Sequence, residues 1–63
     1  MEERIERVNR LLEEMGSVFR VDEDLTMLGY FGNLTFLRRQ FSTVEELENY
    51  VAGCVKNYKR EVL

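Results

Sequence analysis

Apolar residues recur along this chain with two different periods, and the changeovers divide it into helical ends and a strand-rich middle. From Glu2 to Met15, the residues Ile5, Val8, Leu12 and Met15 return at helical spacing, and Leu11 widens the stripe. Glu3–Arg7 and Glu6–Arg10 place an acid four residues before a base, an order that supports a helix. Gly16 follows the last apolar position and reads as the stop.

A second helix begins within "FSTVEELENYV". Ser42 with Glu45, or Thr43 with Glu46, satisfies the capping-box pattern that occupies orphan backbone N–H groups. Val44, Leu47, Val51, Cys54, Val55, Tyr58 and Val62 then share one face. Glu45, Glu46 and Glu48 stand near its start and Lys56, Lys59 and Arg60 near its end, both complementing the helix dipole.

Between the helices, "SVFRV", "LTMLGYF" and "LTFLRRQF" are β-branched and aromatic, with turn signals separating them. Gly32-Asn33 suits a type II′ hairpin turn, because glycine stands first. That turn pairs Phe31 with Leu34, Gly29 with Phe36, and Met27 with Arg38. Asp22-Glu23-Asp24 reads as a three-residue loop that pairs Val21 with Leu25 and Phe19 with Met27. The side-chain period of two then puts Phe19, Val21, Leu25, Met27, Phe31, Leu34 and Phe36 on a core face. An aspartate at Phe36 is accordingly expected to unfold the domain. The expected fold is α+β: a three-stranded antiparallel meander in the order α-β-β-β-α, both helices on one side, with residues 1–63 forming one small domain.

The opposite face of the same sheet would hold Val18 and Arg20, then Thr26, Leu28 and Tyr30, then Thr35, Leu37, Arg39 and Phe41. A solvated sheet face alternates towards polar residues, whereas here Leu28 and Leu37 pair across strands with Tyr30 beside them. Arg20 and Arg39 are expected to frame this patch, and Phe41 to fold over the start of the second helix. Cross-strand leucines stabilise a hairpin by themselves, so the patch reads either as internal support or as a contact surface. Gly53 is a second anomaly, since mid-helix glycine costs up to about 1 kcal/mol relative to alanine. It reads as simple tolerance or as room for another backbone.

Composition narrows the chemistry. Sixty-three residues with a single cysteine and no histidine leave no internal disulfide and no ordinary zinc site. Cys54 lacks the histidine that usually activates a nucleophilic thiol, and reads as a small buried hydrophobe. Glu13–Glu14 and Asp22–Asp24 are sequence neighbours or loop residues, without the placement of an acid–base pair. Gly29 and Gly32 bracket a hairpin and precede no helix, so they form no phosphate loop. No catalytic, cofactor-binding or metal-binding residues are expected, and the chain does not read as an enzyme. Its net charge of −3 argues against general affinity for nucleic acid or anionic membrane. No apolar run approaches the roughly 18 residues of a membrane span, and "MEERIERVNR" lacks a signal-peptide h-region. A cytoplasmic location with a reduced thiol is expected.

The order α-β-β-β-α resembles that of the double-stranded RNA-binding domain, which is of similar length. Those domains grip RNA through a basic cluster at the start of the last helix and a Gly-Pro-x-His-type loop between the first two strands. This chain has Val44-Glu45-Glu46-Leu47-Glu48 and Asp22-Glu23-Asp24 at those places. The resemblance is therefore one of topology, and topology does not carry function.

The reading that best fits the residues is a small protein-interaction module: an adaptor, a subunit or an inhibitor of a larger protein. Leu28, Tyr30 and Leu37 would anchor a protein partner or a second copy of the chain, with Arg20 and Arg39 at the rim. Compact, acidic, histidine-free chains are common among small phage and mobile-element regulators, an association without a motif. The alternative is a nucleic-acid binder that uses Tyr30 as a stacking platform with Arg20, Arg38 and Arg39. A third reading has the acidic sets imitate phosphates and block a nucleic-acid enzyme.

Overall fold

The computed structural model describes residues 2–62, and side chains as far as Tyr58. Its elements are α1 (Glu3–Glu14), β1 (Phe19–Val21), β2 (Thr26–Phe31), β3 (Leu34–Gln40) and α2 (Val44–Val62). The strands form one antiparallel sheet in the order β1-β2-β3, and the helices lie against one of its sides. This is the α+β meander expected from the hydrophobic pattern.

The ends of α1 follow from its sequence. Glu2 caps the start, its Oε1 accepting from the Arg4 N–H at 2.7 Å. At the other end Gly16 takes a left-handed conformation, φ 71°. The Gly16 N–H then donates to the Glu13 carbonyl and the Ser17 N–H to the Leu12 carbonyl. This paired closure satisfies two carbonyls that a helix end otherwise leaves open. For α2 the structure selects Thr43 as the cap, its Oγ1 accepting from the Glu46 N–H at 3.1 Å.

The sheet register differs from the expected one in two places. Asp22 Oδ1 accepts from the N–H groups of Asp24 and Thr26, and the Leu25 N–H donates to the Asp22 carbonyl. The loop therefore runs Glu23-Asp24-Leu25, with Leu25 itself at φ 62°. Val21 consequently faces Met27, and Phe19 faces Gly29. A shift of two residues preserves the faces. The second difference does not. The Gly32-Asn33 turn forms as expected, with φ positive at Gly32 alone, and pairs Phe31 with Leu34 and Gly29 with Phe36. Beyond Leu28↔Leu37, however, Met27 faces Arg39 rather than Arg38. Arg38 is the extra residue of a β-bulge, which reverses the alternation of everything after it.

The core differs from the expected one at both ends of β3, and the bulge accounts for the end that holds Phe41. Phe41, expected outside, is buried with Ile5, Val8, Leu12, Val21, Met27, Leu47 and Val51. Met15, Phe19, Leu25, Val44, Tyr50 and Val55 pack around that cluster. Conversely Phe31, Leu34 and Phe36, expected in the core, are exposed at 69%, 68% and 44%. The helices cover the end of the sheet that holds Val21, Met27 and Phe41, and the hairpin tip projects past them. Tyr58, expected on the buried stripe of α2, is also exposed, and Cys54 is half-buried. Lys59, Arg60 and Val62 fall beyond the last described side chain.

The helices are tied at the surface by Arg4 and Glu48. Their side chains form an ion pair, with the second Arg4 contact, Nε to Oε2, at 3.2 Å. The Arg4 hydrogen bond holds the Glu48 carboxyl below its usual range and raises the guanidinium further. The pair is solvent-exposed, so its contribution is modest and screened by salt.

Two stability effects follow. Because the Glu48 carboxyl is depressed in the fold, its contribution is complete above the unfolded carboxyl range, about 4.3, and is lost as pH falls through the folded value. Glu48→Gln should therefore melt slightly below wild type at neutral pH, with the difference closing in acid; thermal melts across pH check this. A Cβ at Gly53 would meet nothing within 4 Å, so Gly53→Ala should stabilise the fold by up to about 1 kcal/mol, roughly 4–8 °C in the melt.

Candidate functional site

The sheet has an outward side that no helix covers, and the register places Leu28, Tyr30 and Leu37 together on it. Leu28 faces Leu37 and Tyr30 faces Thr35 across the hairpin, while Arg20 faces Leu28 from β1. Leu28 is half-buried by these neighbours, whereas Tyr30 and Leu37 are exposed at 49% and 64%. Arg20, Leu28 and Tyr30 line a shallow cavity of about 280 Å³ that reaches Asn9 and Asp22 at the β1 edge. The Arg20 guanidinium lies along that edge, Nη1 donating to the carbonyls of Ser17 at 2.8 Å and Phe19 at 2.6 Å.

Arg39 does not belong to this surface. The bulge turns it to the helix side, where its guanidinium stacks 5.1 Å from the Phe41 ring centre and 5.3 Å from that of Tyr50. Glu46 Oε1 lies 3.6 Å from its Nη2. The expected rim of two arginines is thus corrected to Arg20 alone. Arg38 also lies on the helix side, over the Phe19 ring at 5.8 Å, with Nε and Nη2 each 3.3 Å from the Tyr50 hydroxyl. Tyr30 therefore shares its face with Arg20 and not with Arg38 or Arg39, so a stacking platform flanked by three arginines is not assembled.

The inward side of the hairpin tip adds residues that sequence reasoning placed in the core. Phe36 lies across Gly29, where any side chain would run into its ring. It meets Phe19 edge-to-face at 5.8 Å between centroids, a geometry favoured by the aromatic quadrupole. Phe31 and Leu34 stand beyond it at the turn. Behind them a cavity of about 230 Å³ opens between the sheet and both helices, lined by Leu12, Met15, Phe19, Arg38, Tyr50 and Cys54 among others. The tip is therefore a two-stranded wing with apolar residues on both sides. Its signal in the sequence is the shortness of the first strand: β1 supports β2 only as far as the bond from the Tyr30 N–H to the Val18 carbonyl.

Among the described residues, no cluster of His, Cys, Asp or Glu could hold a metal ion, and no helix is long and apolar enough to cross a membrane. Comparison with protein-family models, curated proteins and solved structures finds no match.

The exchange of Phe36 and Phe41 has a direct test. Phe36→Asp should leave the domain folded, costing about 1 kcal/mol for the lost edge-to-face contact. Phe41→Asp should unfold it, because a desolvated carboxylate replaces a buried ring of the core. Circular dichroism and thermal melts of the two variants check the assignment.

Proposed function

We propose that this chain is a small non-enzymatic protein-interaction module that binds through the outward face of its sheet. Leu28, Tyr30 and Leu37 are the anchors, and the aliphatic stem of Arg20 completes the patch. The observation that supports this reading is the juxtaposition of those side chains on the face left open by both helices. Contiguous exposed apolar patches mark interaction sites, and tyrosine and arginine are among the usual energetic centres of such contacts. The chain would serve as an adaptor, subunit or inhibitor of a larger protein, with no chemistry of its own. Nucleic acid is a poor fit as the partner, because Arg38 and Arg39 lie on the other side of the sheet from Tyr30 and net charge is −3.

Leu28→Asp combined with Leu37→Lys tests the reading. Neither residue belongs to the buried cluster, so the double variant should stay folded with a modest loss from the cross-strand pair, about 0.2–1 kcal/mol. Capture of a protein partner in a pull-down, identified by mass spectrometry, should be abolished. Undiminished capture by the folded variant would refute the outward face as the site.

A further inference from the structure

The two edges of the sheet are treated differently. On β1, the outward-pointing backbone groups of Phe19 and Val21 are all occupied by side chains. The Phe19 N–H donates to Ser17 Oγ at 3.0 Å, and its carbonyl accepts from Arg20. The Val21 N–H donates to Asn9 Oδ1 at 2.7 Å, and its carbonyl accepts from Asn9 Nδ2 at 2.8 Å. No strand can add there without displacing these bonds. On β3 the situation is the reverse. The Tyr30 N–H points to β1, so Gly29 and Phe31 bond to β3 and the backbone groups of Thr35 and Leu37 point away from the sheet. Among the described residues, no side chain covers that edge. An uncovered edge strand of this length is a template for pairing with another strand.

We infer that β3 pairs antiparallel with β3 of a second copy about a two-fold axis at Phe36, joining the two sheets into one. Thr35 of each copy then faces Leu37 of the other, and each such pair exchanges both N–H···O bonds. The two Phe36 residues oppose each other across the axis as a close, non-hydrogen-bonded pair, with their rings turned back over Gly29. The inference goes beyond the outward-face reading, because it rests on backbone groups at the edge and not on the patch.

Several observations select a second copy as the occupant. The stretch Leu34–Leu37 carries no charge, and centring on Phe36 sets Arg38 opposite Leu34 of the other copy, so like charges do not meet. Leu34 and Leu37 on the edge strand itself are 68% and 64% exposed, so each copy brings apolar side chains to the shared strand pair. Finally, with β1 occupied, each copy has one open edge, so pairing closes at two copies and does not propagate into a filament.

Sedimentation of the wild type from low micromolar to near-millimolar concentration should show a monomer–dimer equilibrium. Thr35→Pro removes an N–H that points off the sheet, a position where an edge strand tolerates proline. It should remain folded by circular dichroism and dimerise at least about tenfold more weakly, as expected for losing a symmetric pair of hydrogen bonds. In a Cys54→Ser background, Phe36→Cys should form an intermolecular disulfide on oxidation, since facing residues of a close pair lie within bridging distance. Asn33→Cys, far from its own copy in this register, should not; the cross-link also decides the matter if Thr35→Pro fails to fold. A wild type monomeric at every concentration, a folded Thr35→Pro that dimerises normally, or cross-linking at Asn33 in place of Phe36 would each overturn the inference. Leu28→Asp separates the two readings: it should leave this dimer intact while abolishing outward-face capture. Dimer loss on Leu28→Asp alone would instead place the second copy on the outward face.

Discussion

The single extra residue at Arg38 decides which side chains the domain can use as core. Without it, strict alternation from Phe36 would turn Phe41 outward and leave Met27 opposite Arg38. With it, Arg39 takes that place and Phe41 enters the cluster beneath α2. The bulge also turns Arg39 to the side that Arg38 already faces, so both arginines reach Tyr50, Arg38 through hydrogen bonds to the hydroxyl and Arg39 over the ring. Phe41 and Tyr50 lie 5.4 Å apart between centroids. One backbone irregularity thus creates an aromatic and cationic seam that fastens the end of β3 to α2.

That seam has a cost in coverage. By fastening the sheet at Val21, Met27 and Phe41, it holds both helices over one end and leaves the hairpin tip beyond their reach. A two-stranded hairpin alone is marginal in water. This one is supported by its own cross-strand pairs, Leu28 with Leu37 and Phe36 across Gly29, and by the contact of Phe36 with Phe19. The left-handed conformation at Leu25 belongs to the same economy. Its backbone closes the β1–β2 loop and its carbonyl accepts the Phe41 N–H at 2.9 Å, while its side chain packs on the core. The strain of a leucine there, of order 1–2 kcal/mol, is offset by contacts that glycine could not make.

Element order, the glycine stop of α1, the capping region of α2, the hairpin turn and the outward placement of Leu28, Tyr30 and Leu37 were legible in the sequence because each rests on local rules. Periodicity, capping chemistry and the glycine of a two-residue turn act over a few residues and do not depend on what packs above. The bulge was not legible in that way, since alternation applied to "LTFLRRQF" has no reason to skip a residue. A signal existed nonetheless. Phe36 and Phe41 are five apart, an odd spacing, so the two can face the helices together only if the strand carries an irregularity between them. The exposure of Phe31 and Leu34 depended on a different quantity, the length of sheet that two helices of this size can cover, which no local pattern encodes.

A chain this short buries only about 60% of the surface its unfolded form exposes, so the placement of each large apolar side chain matters to its stability. Here Phe31, Leu34, Leu37 and Tyr30 contribute little to the buried cluster, although fully burying such a side chain is worth roughly 1.5–3 kcal/mol. Their apolar area is unspent in the monomer and becomes available when another surface covers it. A partner that binds only the folded form stabilises that form by mass action, by about 2.7 kcal/mol at a hundredfold excess over its dissociation constant. For a domain whose single core supplies only about 3–5 kcal/mol, association at the wing would rival the core itself. Folding and binding would then be coupled through the same hairpin: one half of it holds the core, and the other half would be covered by the partner.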